Sequence, residues 1–107
     1  MSELNLKKCV PCEGGIPALT VDEVVKLLGQ LKGWKLDSNN KIFKEFQFVN
    51  FRHNMDFVNK IAILAESEGH HPDLIISYAR LKVELYTHAI DGLSENDFIM
   101  AAKIDQL

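Results

Sequence analysis

The sequence predicts an α+β fold, three helices and two β-hairpins in the order helix–hairpin–helix–hairpin–helix, with an antiparallel four-stranded sheet and helices packed on one face. Three observations carry this. Apolar residues recur at helical spacing in capped stretches, and paired runs of β-branched and aromatic residues are separated by turn formers. At 107 residues the chain has the length of one domain, enough for one modest core.

The elements follow in order. Residues 1–19 read as an irregular lead-in, broken by Pro11, Gly14-Gly15 and Pro17, ahead of a single domain over 20–107. Thr20-Val-Asp-Glu23 is a capping box. Val21, Val24, Val25, Leu27, Leu28 and Leu31 then predict a helix over 21–32, with Gly33 as the residue after its end. Trp34–Asp37 and Lys41–Val49 read as strands around the turn Ser38-Asn39-Asn40. Trp34 is expected in the core, where large aromatics bury area. Asn50 caps a helix over 51–68, whose apolar face is read as Phe51, Met55, Val58, Ala62 and Ala65 with Phe57, Ile61 and Leu64 beside them. His53, early in it, is read as a surface residue. Gly69 ends that helix and Pro72 prevents its resumption. Leu74–Ala79 and Leu81–Thr87 read as the second hairpin, with Val83, Leu85 and Thr87 on one face and Lys82, Glu84, Tyr86 and His88 on the other. Ser94-Glu-Asn-Asp97 is a variant capping box opening a last helix that runs close to Leu107.

Composition excludes several functions. A net charge of −3 with scattered lysines and arginines lacks the basic stripe of a nucleic-acid binder. No apolar run approaches the ~20 residues of a membrane span, and the first residues carry no secretory apolar region. The expected compartment is the cytoplasm. Cys9-Val-Pro-Cys12 has no second ligand pair for zinc and no preceding strand for a redox motif, so it is read as reduced and non-catalytic.

The chemistry-bearing stretch is Glu66-Ser-Glu-Gly-His70-His71-Pro72, followed by Tyr78, His88 and Asp97. Histidine gives and takes protons near neutral pH, and the lack of an obvious nucleophile motif points to proton transfer without a covalent intermediate. Each residue also has a bland reading. Glu66 can be an exposed carboxylate at a helix end, or the partner of a histidine. His70-His71-Pro72 can be a polar loop, although the glycine before and the proline after it supply a bend that lets both rings serve one pocket. His88 can be a solvated strand end, Tyr78 sheet packing, and Asp97 the acidic member of a capping box.

Together, Glu66-x3-His70-His71-Pro72-x5-Tyr78-x9-His88-x8-Asp97 resembles the signature of the pterin-4a-carbinolamine dehydratase family. Gly33-Trp34, Ile42-Phe-Lys-Glu-Phe-Gln-Phe48, Ala65-Glu66 and Gly92-Leu93-Ser94-Glu95 look like family positions too, and the likeness covers residues 18–107. The Cys-Val-Pro-Cys-Glu-Gly-Gly-Ile-Pro lead-in is similar to that of many bacterial and plant members and absent from the animal form. The resemblance implies a hydro-lyase that dehydrates a 4a-hydroxytetrahydropterin to the quinonoid dihydropterin, recycling the pterin used by aromatic amino-acid hydroxylases. It implies no metal or cofactor and a homodimer or homotetramer. By motif position it implies His70 and His88 as the acid/base pair, His71 binding the pterin and assisting, and Glu66, Tyr78 and Asp97 as substrate-binding or orienting groups. Leu74 stands where the animal form has tryptophan, Gly69 replaces an acidic residue, and Asn96 replaces an arginine. Two other readings stand beside this one. The first is a non-catalytic binding, assembly or transcription-cofactor protein on the same fold, since the animal form also acts as a dimerisation cofactor for a homeodomain transcription factor. The second is a zinc site on the three clustered histidines.

Overall fold

The computed structural model describes residues 3–10 and 17–107. Helix α1 spans Val21–Leu28. Its capping box forms as read: Glu23 N–H donates to Thr20 Oγ1 at 3.3 Å, and Thr20 N–H donates to the Glu23 carboxylate at 2.8 Å. The helix stops four residues short of the predicted end. From Gly29 the chain tightens, with Gln30 and Leu31 N–H donating to carbonyls three residues back, and it reverses at Gly33 with φ +81°. The aliphatic stem of Lys44 crosses Gly33, 3.1 Å from where a Cβ would stand, so a side chain there would be both strained and crowded. Trp34 then enters the core, and its indole N–H donates to Asp105 at 3.0 Å.

Four antiparallel strands, β1 (Lys35–Leu36), β2 (Ile42–Gln47), β3 (Asp73–Ile76) and β4 (Arg80–Leu85), form one sheet in the order β1-β2-β4-β3. The hairpins of the sequence are therefore joined through β2 and β4, from Ile42 opposite Leu85 to Gln47 opposite Arg80. Leu81, Val83 and Leu85 point into the core, the alternation that the apolar pattern of β4 predicts. The second hairpin is shorter than predicted. Ser77 N–H donates to Arg80 C=O at 2.9 Å, which turns the chain before Ala79.

Helix α2 spans Phe51–Glu68 as predicted, capped by Asn50 Oδ1 accepting from His53 N–H at 2.9 Å and ended by Gly69 at φ +68°. His53 is exposed, as read. The buried stripe is Asn54, Val58, Ile61 and Ala65, rotated from the predicted face, so Phe51 and Ala62 are exposed. The polar Asn54 sits in that stripe because its amide donates to the carbonyls of Ser77 and Arg80 at 2.8 and 2.9 Å, clamping the β3–β4 turn onto the start of α2. Helix α3 (Glu95–Ile104) buries Phe98, Ile99, Met100, Ala101, Ala102 and Ile104. It is covered on nearly every side, because a 3-10 turn at Leu4–Leu6 packs on it and buries Leu4 as well. Among the described residues no helix is long and apolar enough to cross a membrane. Cys12 falls outside them.

Candidate active site

The predicted site is built outward from Asp97. This residue occupies the third position of α3, and its side chain is fully buried. A buried carboxylate requires donors, and three surround it: Ser94 N–H at 3.0 Å and the Thr87 hydroxyl at 2.7 Å on Oδ2, and His70 Nε2 at 2.6 Å on Oδ1. As an acceptor the carboxylate fixes the His70 ring with its proton on Nε2, leaving Nδ1 as the lone pair of the neutral ring. The His70 side chain is 11% exposed, so the ring is held by the protein while one edge meets solvent.

The bend that delivers His70 is local chemistry. Gly69 adopts the left-handed conformation and both Gly69 N–H and His70 N–H return to Ala65 C=O, which closes α2 and turns the chain toward β3. His71 then points the other way. Its Nε2 meets Glu66 Oε2 at 2.5 Å, and both side chains are exposed. The two adjacent histidines thus take different carboxylates, one buried and one at the surface.

His88 lies in a 3-10 turn (His88–Ile90) just after β4 instead of at the strand's end. Thr87 forms an isolated bridge with Gly92, so residues 88–91 make a small closed loop that presents an exposed His88. Gly92 is required there because a Cβ would stand 2.4 Å from that of Ala18. The Tyr86 ring packs edge-on to His88 with centroids 5.1 Å apart. The Tyr86 hydroxyl donates to Asp91 at 2.6 Å, and that bond pushes its pKa up. His88 is linked to His70 through two residues, since the hydroxyl of its chain neighbour Thr87 binds the Asp97 carboxylate that holds His70.

Tyr78 is not brought to this cluster within the chain. It lies beyond β3 and is 68% exposed, its ring stacked on Phe51 at 6.4 Å. Phe51 opens α2 and Glu66 lies in its last turn, so Tyr78 is about 22 Å away along the helix at 1.5 Å per residue.

The sequence alone marks none of three further residues at the cluster. Thr87 reads only as an inward-facing strand residue. Asn96 and Glu68 flank the site: Asn96 exchanges two hydrogen bonds with the Val10 backbone, and Glu68 accepts from Lys103 Nζ at 2.8 Å and Cys9 N–H at 2.9 Å. The Lys103 bond, then that of Cys9, holds the Glu68 carboxyl below the usual range. A cavity of about 580 Å³ opens elsewhere, lined by Leu31, Lys44, Phe46, Phe57 and Asp105 among others. It touches none of the predicted site residues, and its Lys44 and Asp105 are paired with each other at 2.9 Å. Among the described residues no group of three His, Cys, Asp or Glu side chains is arranged to hold a metal ion.

The chain thus brings together an imidazole hydrogen-bonded to a buried carboxylate and, on the adjoining loop, a second histidine, within a small α+β domain built on an open antiparallel sheet. Residues 17–107 match the model of the pterin 4 alpha carbinolamine dehydratase family, and the chain belongs to that family. Relatives named "Putative pterin-4-alpha-carbinolamine dehydratase", a lyase activity, are 47% identical in Rubrobacter xylanophilus (all of both chains) and 53% identical in Nitrosomonas europaea (98% of this chain, 93% of the relative). A solved structure from Brucella melitensis, described as a transcriptional coactivator/pterin dehydratase, is 34% identical with a TM-score of 0.79, covering 83% of this chain and 96% of that one. A pterin dehydratase-like protein described as a RuBisCO assembly factor in the alpha-carboxysome is 24% identical with a TM-score of 0.60, covering 69% and 87%. That second likeness is one of fold.

Proposed function

We propose that the protein is a hydro-lyase that dehydrates a 4a-hydroxytetrahydropterin by histidine general acid–base catalysis, as a step in tetrahydrobiopterin recycling in the cytoplasm. The observation that carries the mechanism is the buried His70–Asp97 pair, with the His88 loop fastened to the same carboxylate through Thr87. In the reaction the C4a–O bond breaks as an imidazolium protonates the leaving hydroxyl, which departs as water. A neutral imidazole takes the N5 proton, and the electron pair left behind closes the C4a=N5 double bond. His70 and His88 are the two proton-transfer groups. Asp97 holds the His70 ring in one tautomer. His71, steadied by Glu66, binds the pterin and assists. No cofactor takes part in this scheme. The protein acts as a homo-oligomer, and Tyr78 contacts the substrate from a second copy, since within its own chain it stands at the opposite end of α2.

The test is dehydration of a pterin carbinolamine followed by stopped-flow absorbance. Folded His70→Ala and His88→Ala variants are each expected to lose about 10²–10⁴ in kcat, the usual contribution of one positioned acid or base. Full activity in both would end the assignment. A second reading, a non-catalytic partner protein, draws on the Brucella relative, whose description joins coactivator to dehydratase. Absence of any dehydration by the wild-type chain would favour that role.

A further inference from the structure

Residues 3–10 lie ahead of the stretch that the family model matches, yet they are fastened to the two segments that carry the His70–Asp97 pair. Leu4 is 2% exposed and anchors the segment against α3. Lys7 pairs with Glu95 at 2.9 Å. Val10 N–H donates to Asn96 Oδ1 at 3.0 Å, and Asn96 Nδ2 donates back to Val10 C=O at 2.6 Å. This two-point clamp uses the residue immediately before Asp97. One residue earlier, Cys9 N–H donates to Glu68 at 2.9 Å, and Glu68 stands two residues before His70. Glu68 and Lys103 are themselves mostly buried, with side chains 7% and 15% exposed. The segment therefore bridges the end of α2 and the start of α3 across the outside of the site, spanning the same gap that the His70–Asp97 bond spans inside it.

We propose that residues 3–10 are a positioning strap of the active site, and that Asn96 and Glu68 are the positioning residues through which the strap sets the distance and angle of His70 to Asp97. This rests on the reading of His70 and Asp97 as a working pair. The physical reason is leverage. His70 follows a glycine in the left-handed conformation, a flexible joint, and Asp97 sits in the first turn of its helix, where helices fray. A tie shared by both neighbours removes the relative motion of the two ends. Misplacement by about 1 Å can cost as much as about 10²-fold in rate, so a joint held to a few tenths of an ångström matters to kcat.

The test uses the full-length chain with Asn96→Ala, which removes both clamp bonds, and with Leu4→Ala, which loosens the strap's anchor without touching any site residue. Two readouts are taken: steady-state dehydration kinetics and the NMR resonance of the His70 Nε2 proton, which reports the bond to Asp97 directly. In Asn96→Ala, kcat is expected to fall about tenfold with KM within about twofold, and the His70 resonance to shift or broaden. Leu4→Ala should move both readouts in the same direction by less, and it carries the test alone if Asn96→Ala does not fold. Wild-type kcat and an unmoved His70 resonance in either folded variant would overturn the proposal. The resonance separates this outcome from failure of the catalytic reading, because it reports the strap's hold on the pair even if His70→Ala proves fully active.

Discussion

Cys9 shows how far a residue's chemistry departs from its motif. In the sequence, Cys9 and Cys12 invite a metal or redox role, and only the missing partners argue against one. In the fold, the Cys9 thiol is half-buried, donates to Asn96 C=O at 3.7 Å, and is pushed up to about 12 by burial first and then by the nearby Glu68 carboxylate. The nucleophilic thiolate is therefore scarce. At pH 8.5 a thiol with that pKa is ionised about 10³-fold less than an ordinary cysteine. In a Cys12→Ser background, alkylation of native Cys9 by iodoacetamide is expected to run slower than that of the denatured chain by a comparable factor. Adding Glu68→Gln, which removes a raising charge, should speed the native reaction, and labelling of the native thiol at the denatured rate would contradict this account. The same scale explains what the sequence concealed at the site. Asp97 was legible as a capping residue because capping is local, and its family position suggested the rest. Thr87 was not, since a buried threonine closing a strand gives no sign of which carboxylate its hydroxyl will reach.

Among the elements, α2 was the most legible and the β3–β4 hairpin the least. The limits of α2 are written in its own ends, by Asn50 as the N-cap and by Gly69, the residue type that adopts φ +68° at least cost. The end of β3 is instead imposed from a distance by Asn54, whose amide holds the Ser77 and Arg80 carbonyls, and a polar residue within an apolar stripe does not announce such a task. The early end of α1 likewise has no sequence mark at Leu28: the chain tightens from Gly29 and only reverses at Gly33, where φ is +81°. The helix ends also carry an electrostatic signature. Glu68, at the unfavourable end of the α2 macrodipole, is held by Lys103 from α3 and by Cys9 N–H from the strap, which lower its pKa. A carboxyl whose folded pKa is depressed adds stability that is fully present above its unfolded value and fades as pH falls through the folded one. Replacing it by Glu68→Gln should therefore cost roughly 1.5–3 kcal/mol at pH 7, the range for hydrogen bonds to a charged group. That difference should shrink as pH drops below the ordinary glutamate value of 4.5. Urea titrations of both proteins from pH 7 to pH 3 measure it, and a difference independent of pH would mean that the ion pair contributes nothing.

At the scale of the whole molecule, the far edge of the sheet decides the place of Tyr78. β3 is an edge strand with Ile75 and Ile76 exposed, the kind of edge that invites a further strand. Its own hydrogen bonding limits how a second copy can join. Ser77 bonds to Arg80, and with Ile75 opposite Lys82 and Asp73 opposite Glu84, the alternation of an antiparallel ladder turns the N–H and C=O of Leu74 and Ile76 outward. Pairing about a two-fold axis must set outward groups against outward groups. Leu74 opposite the partner's Leu74 would bring Pro72, which lacks an N–H, into the ladder. Leu74 opposite the partner's Ile76 uses every outward group of the strand. It also stacks Ile75 on its own copy and brings Asp73 near the partner's Arg80 on the solvent face. In that register the partner's Tyr78 would fall opposite Pro72, beside His71, which would bring to the site from across the interface the residue that the single chain leaves far from the cluster. A shared site has a distinctive consequence. Mixing inactive His70→Ala chains with impaired Tyr78→Ala chains, after unfolding and refolding together, would create mixed dimers in which one of the two sites draws its histidines from one parent and its tyrosine from the other, both intact. With random pairing about half of the dimers are mixed, and about a quarter of all sites regain full function. The refolded mixture should therefore exceed the mean of its parents in kcat/KM, while an Ile76→Lys substitution, which places a charge on the edge, should abolish the gain and yield monomers by light scattering. A mixture that merely averages its parents would put Tyr78 back within its own chain.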